Sequence, residues 1–414
     1  MSGSCYARVA LGTRRTLAKA YPSDAFKLTV NSTTTMMVQS ISTTGRVPYY
    51  IEPVLNEAAL PDIEADWNRL CERASSPNVF TTVDWYRAWT SRFASDDPGR
   101  SFPNLLVLKQ NDVVVGIAPF IRRISSLLGV QLQKLEFVTN HADYNEIVLG
   151  GDQATQLDAV MSFLSETSGQ WDVMDLRELL DAEGNRARIE SSLQAAGLLY
   201  RILPEEDACP YLPIEGDSSS AMKRLSGDAR RVLRKRTEKA AHLGLRLRII
   251  ENPHQEPELL NRLIALDQRC HLQKQWTPFI SKYPEVSQSL FQNLGPRGWL
   301  CVAVLESENE LAGYQISFRC GDKLWDYTKA YDRAFSNLAP GTLIFTALLD
   351  YGFSCGFSEY DFLRGEEPYK LVWSTGFHRR FRILIWNSRW TSRVRKFFYH
   401  DARAALRGVL GKRS

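Results

Sequence analysis

The sequence predicts a mixed α/β protein built from two tandem copies of one unit. Three observations carry that reading. A strand–turn–strand pattern occurs twice, as LLVLKQNDVVVGIAPF at 105–120 and CVAVLESENELAGYQISF at 301–318, each with a polar turn and a glycine, Gly116 or Gly313. A helix-then-strand pattern follows each hairpin, and WDVMDLREL matches SEYDFLRGE with Asp175 and Asp361 in like places. Finally, a strand at WDYTKAYD runs through a short polar loop into an apolar helix opened by Pro340-Gly341-Thr342 and stopped by Gly356. Two consecutive units repeated in the same order mark a duplication.

Length and composition agree. A chain of 414 residues favours two or three domains, and 44% apolar with 24% charged residues suits globular cores. No apolar run approaches the roughly 18 residues that span a bilayer. The longest, 105–108 and 381–386, are strand-sized. The first 35 residues hold no continuous apolar stretch of a secretory leader, so the expected location is cytoplasmic. The seven cysteines form no CxxC pair, which argues against a zinc ribbon or thioredoxin-type site and for reduced buried thiols. Adjacent Cys270 and His271 point different ways on a helix and make a poor catalytic dyad.

Residues 1–47 are rich in Ser and Thr with six Lys/Arg and one acid, Asp24, and little order is expected there. A helix follows over 58–75, with Leu60, Ile63, Trp67 and Leu70 on one face. Thr81 or Thr82 caps a second helix bearing Trp85, Ala88 and Trp89. The first hairpin turns at Gln110-Asn111-Asp112. Strands are expected over 133–138, 145–148 and 171–179, a helix over 154–167, a second helix ending at Ala196-Gly197, and a strand at LLYRIL. The Pro-, Gly- and Ser-bearing stretch 204–220 reads as a boundary. A long basic helix begins near Ser218, with Met222, Leu225, Ala229, Val232 and Leu233 inward, and another helix covers 257–270. The domains expected are therefore 1–47 (extension), 48–212, 213–390 and 391–414 (a basic amphipathic tail).

Charge is segregated. Residues 223–248 hold ten Lys/Arg against two acids, and 379–414 hold eleven against one. Such patches face phosphate, anionic lipid or nucleic acid, or are solvated faces. In the tail, Val394, Phe397, Phe398, Ala402, Ala405, Leu406 and Val409 fall at helical spacing, which suits an interfacial helix at the inner face of the cytoplasmic membrane or one docked on the protein.

A strand feeding a Gly-bearing turn at a helix N-terminus is a potential anion site, because the first-turn N–H groups and the dipole's positive end face outward. The second unit has this arrangement at Pro340-Gly341-Thr342 and the first lacks an obvious counterpart. A phosphate-bearing cofactor is thus expected on the second unit, with the first helping to build an acceptor groove.

The run YDRAFSNLAPGTLIFTALLDYGFSCGFSEYDFLRGEEPYKLVWSTGF resembles the core of the CelD-type acetyltransferases, a GNAT-superfamily branch associated with cellulose and exopolysaccharide production. VFTTVDWYRAWTSRF, VVVGIAPFIRR and DYNEIVLG are similar to that family's N-terminal part, so the resemblance spans roughly residues 50–390. YDFLRGEEPYK is its most specific piece. The family is also similar to the Fem-type aminoacyl transferases, which pair two GNAT-like domains. The resemblance implies two tandem GNAT-like domains, each a central mixed, mostly antiparallel sheet flanked by helices. It implies acetyl-CoA or another acyl-CoA as donor, no metal, and a small-molecule or saccharide acceptor; nucleic acid is not expected as a partner. Pantetheine would lie between the strands of WDYTKAY and SEYDFLR, and the pyrophosphate on the amides of Gly341, Thr342 and Leu343 behind Pro340. The loop, with one glycine, departs from the superfamily's Arg/Gln-x-x-Gly-x-Gly/Ala signature.

Direct acyl transfer needs an attacking amine or hydroxyl, a base for its proton and a proton or positive charge for the thiolate. Asp326 and Asp361 are the candidate bases or orienting acids, although Asp361 equally suits a structural partner of Arg364. Tyr369 is placed to protonate the thiolate and Lys370 to stabilise the oxyanion, an aromatic-Lys pair that Fem-type enzymes carry in a similar context. Arg364 could grip a phosphate or an acceptor sugar. His141-Ala142-Asp143-Tyr144 could help bind the acceptor. Two other function classes stay open: an aminoacyl-tRNA-dependent transferase, with the basic helix on RNA, and a non-catalytic GNAT scaffold in polysaccharide synthesis.

Overall fold

Each repeated hairpin folds around the same irregularity. In the first, strands Ser101–Gln110 and Val113–Leu127 meet at Asn111 and Asp112, both in the left-handed region (φ 50° and 60°) that a two-residue hairpin turn requires. Leu108 faces Gly116, and the register then slips so that Lys109 faces Val114. In the second, strands Leu300–Glu306 and Leu311–Cys320 repeat this: Leu305 faces Gly313, and Glu306 then faces Leu311. A bulge beside the equivalent glycine in both copies is the structural mark of the duplication. At Gly313 an added Cβ would lie 3.2 Å from Pro340 Cβ and from Ile344 Cδ1, so the missing side chain lets the Pro340 helix start sit on the sheet.

The computed structural model describes residues 36–37 and 49–387, apart from 75–76, 97–98, 128–129, 139–140, 183, 206 and 274–278. The tail 391–414 and most of the extension 1–47 lie outside those residues; within the extension, Met36–Met37 pairs with Tyr50 and Ile51. Two mixed sheets result, each flanked by helices. The first runs Met36–Met37, Tyr50–Val54, Ser101–Gln110, Val113–Leu127, Val130–Phe137, Val173–Leu180, Arg380–Trp386 and Leu199–Pro204, with Val148–Leu149 added on Val113–Leu127. The second runs Arg246–Ile250, Leu300–Glu306, Leu311–Cys320, Lys323–Tyr331, Glu359–Asp361, Cys209–Pro213 and Gly376–His378. Each holds one parallel pair at its centre, Lys134–Glu136 against Val173–Asp175 in the first and Lys323–Trp325 against Glu359–Asp361 in the second.

The sheets exchange strands. Arg380–Trp386, late in the chain, fills the slot between Val173–Leu180 and Leu199–Pro204 of the first sheet. Cys209–Pro213, from the stretch expected to be a boundary, lies between Glu359–Asp361 and Gly376–His378 of the second. Neither sheet is therefore one continuous stretch of chain: a cut at 212/213 passes through a strand of the second sheet, and a unit of 213–390 keeps Arg380–Trp386, which pairs in the first. The long basic helix is broken into Ser218–Met222 and Gly227–His242, because Ser226 caps the second piece by accepting from the Ala229 amide. The strand expected over SEYDFLR stops at Asp361, whose carboxylate accepts from the Leu363 amide while Leu363 turns left-handed (φ 55°). Helix Pro284–Leu294 and strand Arg246–Ile250 add to the elements expected from sequence.

One apolar cluster runs between the halves. Helices Leu60–Arg73 and Val83–Asp96 of the first half bury Trp67, Trp85 and Trp89 fully, and Phe80 stacks on Trp325 of the second sheet at 5.4 Å. Helix Pro340–Cys355 covers the opposite face of the second sheet with Leu343, Ile344, Phe345 and Leu348.

Candidate active site

The central parallel pair of the second sheet is short. Trp325 faces Asp361, and beyond that point Lys323–Tyr331 continues while Glu359–Asp361 has ended. The two chains part there, opening the sheet between the Pro340 helix on one face and the first half on the other. Alternation along the strands sorts the candidate residues between those faces.

On the helix face lie Asp326, Lys329, Tyr360, Tyr369 and Lys370. Asp326 is 4% exposed and ion-pairs with Lys329; its other oxygen, Oδ1, is buried and has no partner among the described residues. The Lys329 ammonium sits 4.4 Å over the Tyr369 ring. Tyr360 accepts from Gln315 at 2.6 Å. Tyr369 is 37% exposed as a residue, and the partial burial of its phenol with the carboxylates of Asp326 and Glu367 raises it, so it holds its proton. Lys370, 5% exposed, donates to the Arg364 carbonyl at 2.6 Å and pairs with Glu367 at 3.0 Å, so its charge holds the 364–370 loop.

At the mouth of this face, helix Pro340–Cys355 begins after Ala339 in a left-handed turn (φ 51°) with no side-chain cap. The Thr342 and Leu343 amides both turn back to the Ala339 carbonyl, at 2.9 and 3.2 Å. Among the described residues the Gly341 amide has no partner, and a Cβ at Gly341 would meet nothing within 4 Å. The sequence expected three amides for an anion; the geometry leaves Gly341's, backed by the helix dipole. The first half's counterpart, helix Gln153–Glu166 after Gly150-Gly151, is closed by Asp152, whose carboxylate accepts from the Thr155 amide at 3.3 Å. A carboxylate already occupies the place an anion would take. The open helix end and the parted strands together fit a phosphate-bearing donor on the second half.

Asp361 points to the other face. It is 1% exposed and accepts from the Tyr144 hydroxyl at 2.7 Å. His378 Nε2 lies 3.9 Å away and bonds Glu359 at 3.0 Å, and Lys323 pairs with Glu359 at 3.0 Å. Burial raises the Asp361 carboxyl to about 7, against the opposing pull of His378, Tyr144 and the Leu363 amide. Asp175, its repeat-mate, is also fully buried, but Lys134, Arg177 and Arg382 surround it and Arg382 bonds it at 2.6 Å. The cations overcome its burial and hold its pKa well below the ordinary range. One copy thus made its carboxylate an ion-pair hub, and the other left it ready to exchange a proton. Glu359, Asp361 and His378 also hold their donor atoms within 4.8 Å of one another, a set that could hold a metal, though the Lys323 ammonium already supplies positive charge there.

Asp361, Tyr144, His378, Lys323 and Trp325 line one end of a cavity of about 720 Å³ between the halves. Arg364 reaches the same interface, pairing with Asp143 and Glu178 of the first half at 3.3 Å each. Its guanidinium joins the halves. Within His141-Ala142-Asp143-Tyr144, His141 stacks on Trp89 at 5.6 Å, and burial with Arg364 and Lys282 lowers its pKa to about 4. The structure therefore brings Asp326, Tyr369 and Lys370 together on one face and sets Asp361 and Arg364 on the other. Sequence reasoning missed Glu359 and His378. The two-residue step from Glu359 to Asp361 was a readable sign, whereas His378 carried none. Cys270 donates to the Tyr331 carbonyl at 2.9 Å and is buried, and burial raises the thiols of Cys71 and Cys301 to about 12.

Residues 227–371 match the acetyltransferase (GNAT) domain model. Among solved structures the chain is similar to FemX, at 11% identity with a TM-score of 0.55, covering 77% of this chain and 95% of that one. It is also similar to a tandem GNAT protein from the clavulanic acid biosynthesis pathway, at 11% identity and a TM-score of 0.43, covering 80% and 98%. Among curated proteins none matches by sequence. The second half thus carries a GNAT acetyltransferase domain, and the likeness to FemX is one of fold. Among the described residues no helix is long and apolar enough to cross a membrane.

Proposed function

We propose that the protein is an acyltransferase that moves an acetyl or other acyl group from acyl-CoA to an amino or hydroxyl group of a saccharide or cell-envelope precursor, as in exopolysaccharide synthesis. One observation carries the reading: the strands part at Trp325 and Asp361 with an uncapped helix end on one face and a buried, titratable carboxylate on the other. The Gly341 amide and the dipole behind it hold the donor's pyrophosphate, and the gap between the strands takes its pantetheine arm. The acceptor approaches from the first half. Its nitrogen or oxygen bonds to the thioester carbonyl carbon as its proton passes to the Asp361 carboxylate. The C–S bond then breaks, and the sulfur takes the Tyr369 proton. Asp326, paired with Lys329, holds that ammonium under the Tyr369 ring. Lys370 positions the loop that carries Tyr369.

A second reading, transfer from aminoacyl-tRNA, draws on helix Gly227–His242, which exposes Arg230, Arg231, Arg234 and Lys235 and packs on the 333–338 turn and the Pro340 helix. Thermal unfolding with acetyl-CoA separates the two. At about a hundredfold above its dissociation constant a ligand adds roughly 2.7 kcal/mol. Gly341→Asp has room for its side chain and sets a carboxylate at the helix end, so it keeps the fold and loses the shift. An acetyl-CoA shift that survives in Gly341→Asp moves the donor elsewhere. No shift with any CoA species, together with salt-sensitive tRNA binding, replaces the first reading with the second.

A further inference from the structure

We infer that the cavity between the halves binds the acyl acceptor, and that this acceptor is an amphiphile whose linear apolar chain lies in the first half while its nucleophile meets Asp361. The inference rests on the acyl-transfer reading above and adds the substrate class.

The cavity is lined by both halves. Near Asp361 are Tyr144, His378 and Trp325, and among the described residues the buried Trp325 indole N–H has no hydrogen-bond partner. That donor suits a polar head group. The first half adds aliphatic side chains, with Val115, Leu149, Leu157, Met161, Leu176 and Leu180 among them, beside charged ones such as Arg69, Arg73 and Glu146. Its volume, about 720 Å³, is that of a small-molecule pocket.

Its place in the fold suggests why. Strands Val130–Phe137 and Val173–Leu180 run parallel only as far as Glu136 and Asp175, then part, and Phe137 and Leu176 beyond that point line the cavity. This is the first half's counterpart of the gap assigned to pantetheine in the second. The duplication therefore supplied two openings, each beside a helix N-terminus. In the first half Asp152 closes that terminus and repels a phosphate. What remains is a cleft beside parted strands with an apolar wall and a helix end already capped by a carboxylate, and it leads to the carboxylate on the acceptor side. A saccharide alone would leave that wall in contact with water, whereas an alkyl or prenyl chain attached to the head group covers it.

The test is isothermal titration of the full chain with glucose, hexyl glucoside and octyl glucoside, each below its micelle-forming concentration. Each buried methylene strengthens binding about fourfold, so octyl glucoside is expected to bind roughly fifteenfold more tightly than hexyl. Val115 and Leu180 are half-buried, so Val115→Trp and Leu180→Trp are directed into the cavity. Both are expected to weaken glucoside binding at least tenfold while leaving the acetyl-CoA melting shift intact, which reports the fold. Equal affinity for all three probes, absence of binding, or binding that both substitutions leave unchanged overturns the inference. Chain-length dependence that persists where no CoA shift is seen upholds the pocket and removes the donor reading alone.

Discussion

Replacing Asp361 by asparagine removes a titrating group and little else. The amide keeps one oxygen for the Leu363 backbone N–H, while its NH2 replaces the oxygen that accepted from Tyr144, whose hydroxyl turns to accept instead; the side chain otherwise differs by one heavy atom of similar size. The wild-type carboxyl is raised from 3.8 to about 7, chiefly by burial, so the native state holds a proton that the unfolded chain releases. A raised acid stabilises the fold fully below its unfolded pKa, and that contribution is lost as pH climbs through the folded value. Between those two points wild type loses ~1.4 kcal/mol per pH unit through this group alone, or about 3 kcal/mol from about pH 4.5 to about pH 8. The amide has no such dependence. Urea denaturation of both proteins at several pH values, read as their difference so that all other groups cancel, should show the variant gaining that amount on wild type as pH rises. Activity should move the opposite way: wild-type transfer rises through pH 7 as Asp361 ionises, and the Asp361→Asn variant loses a factor of roughly 10²–10⁴ above pH 7, a gap that narrows as wild type is protonated below it. A stability difference that stays flat with pH, or transfer that survives the substitution, would refute the assignment of Asp361 as a buried proton acceptor.

Three further outcomes are expected. Arg380→Met should cost about 3 kcal/mol in denaturant unfolding, because the 1%-exposed side chain is bonded to Glu178 and to the Asp207 carbonyl at 2.7 Å, and its loss strands a buried carboxylate; a cost below about 1 kcal/mol would show that Arg364 alone compensates Glu178. A fragment of residues 213–390, cut where the sequence suggested a domain begins, should fail to give a cooperative melt, since it lacks most of Cys209–Pro213 and leaves Arg380–Trp386 without its sheet; a sharp transition would mean the exchange is dispensable. A chain ending at Ser388 should partition less onto anionic liposomes than the full chain if residues 391–414 touch membrane, and equal partitioning ends that proposal.

Much of the site was legible because its parts are local. Pro340, Gly341 and Gly356 announce the helix and its ends through backbone rules that hold wherever the residues sit. Tyr369 and Lys370 came from a run of neighbours in the sequence. What escaped was long-range. Tyr144 and Asp361 are 217 positions apart, and only the docking of the halves makes one donate to the other. Asp361 and Asp175 looked alike in the repeat; their difference lies in Lys134 and Arg382, which reach Asp175 from other strands. Arg364 read as a phosphate grip because its pairing with Asp143 and Glu178 is invisible until both halves are placed. The strand Cys209–Pro213 hid because two of its five residues are prolines, which usually mark boundaries.

The strand exchange sets a schedule on synthesis. When residues 49–204 have left the ribosome, the first sheet still has an empty slot with two bare strand edges, Val173–Leu180 and Leu199–Pro204, and its missing member arrives only with residues 380–386. The second sheet meanwhile receives its borrowed strand early and waits for the rest. Neither half can finish first, so the nascent chain must keep an open β-edge unpaired while some 175 further residues are made. The same arrangement means that the finished molecule melts as one unit, and that a ligand gripping either half steadies both.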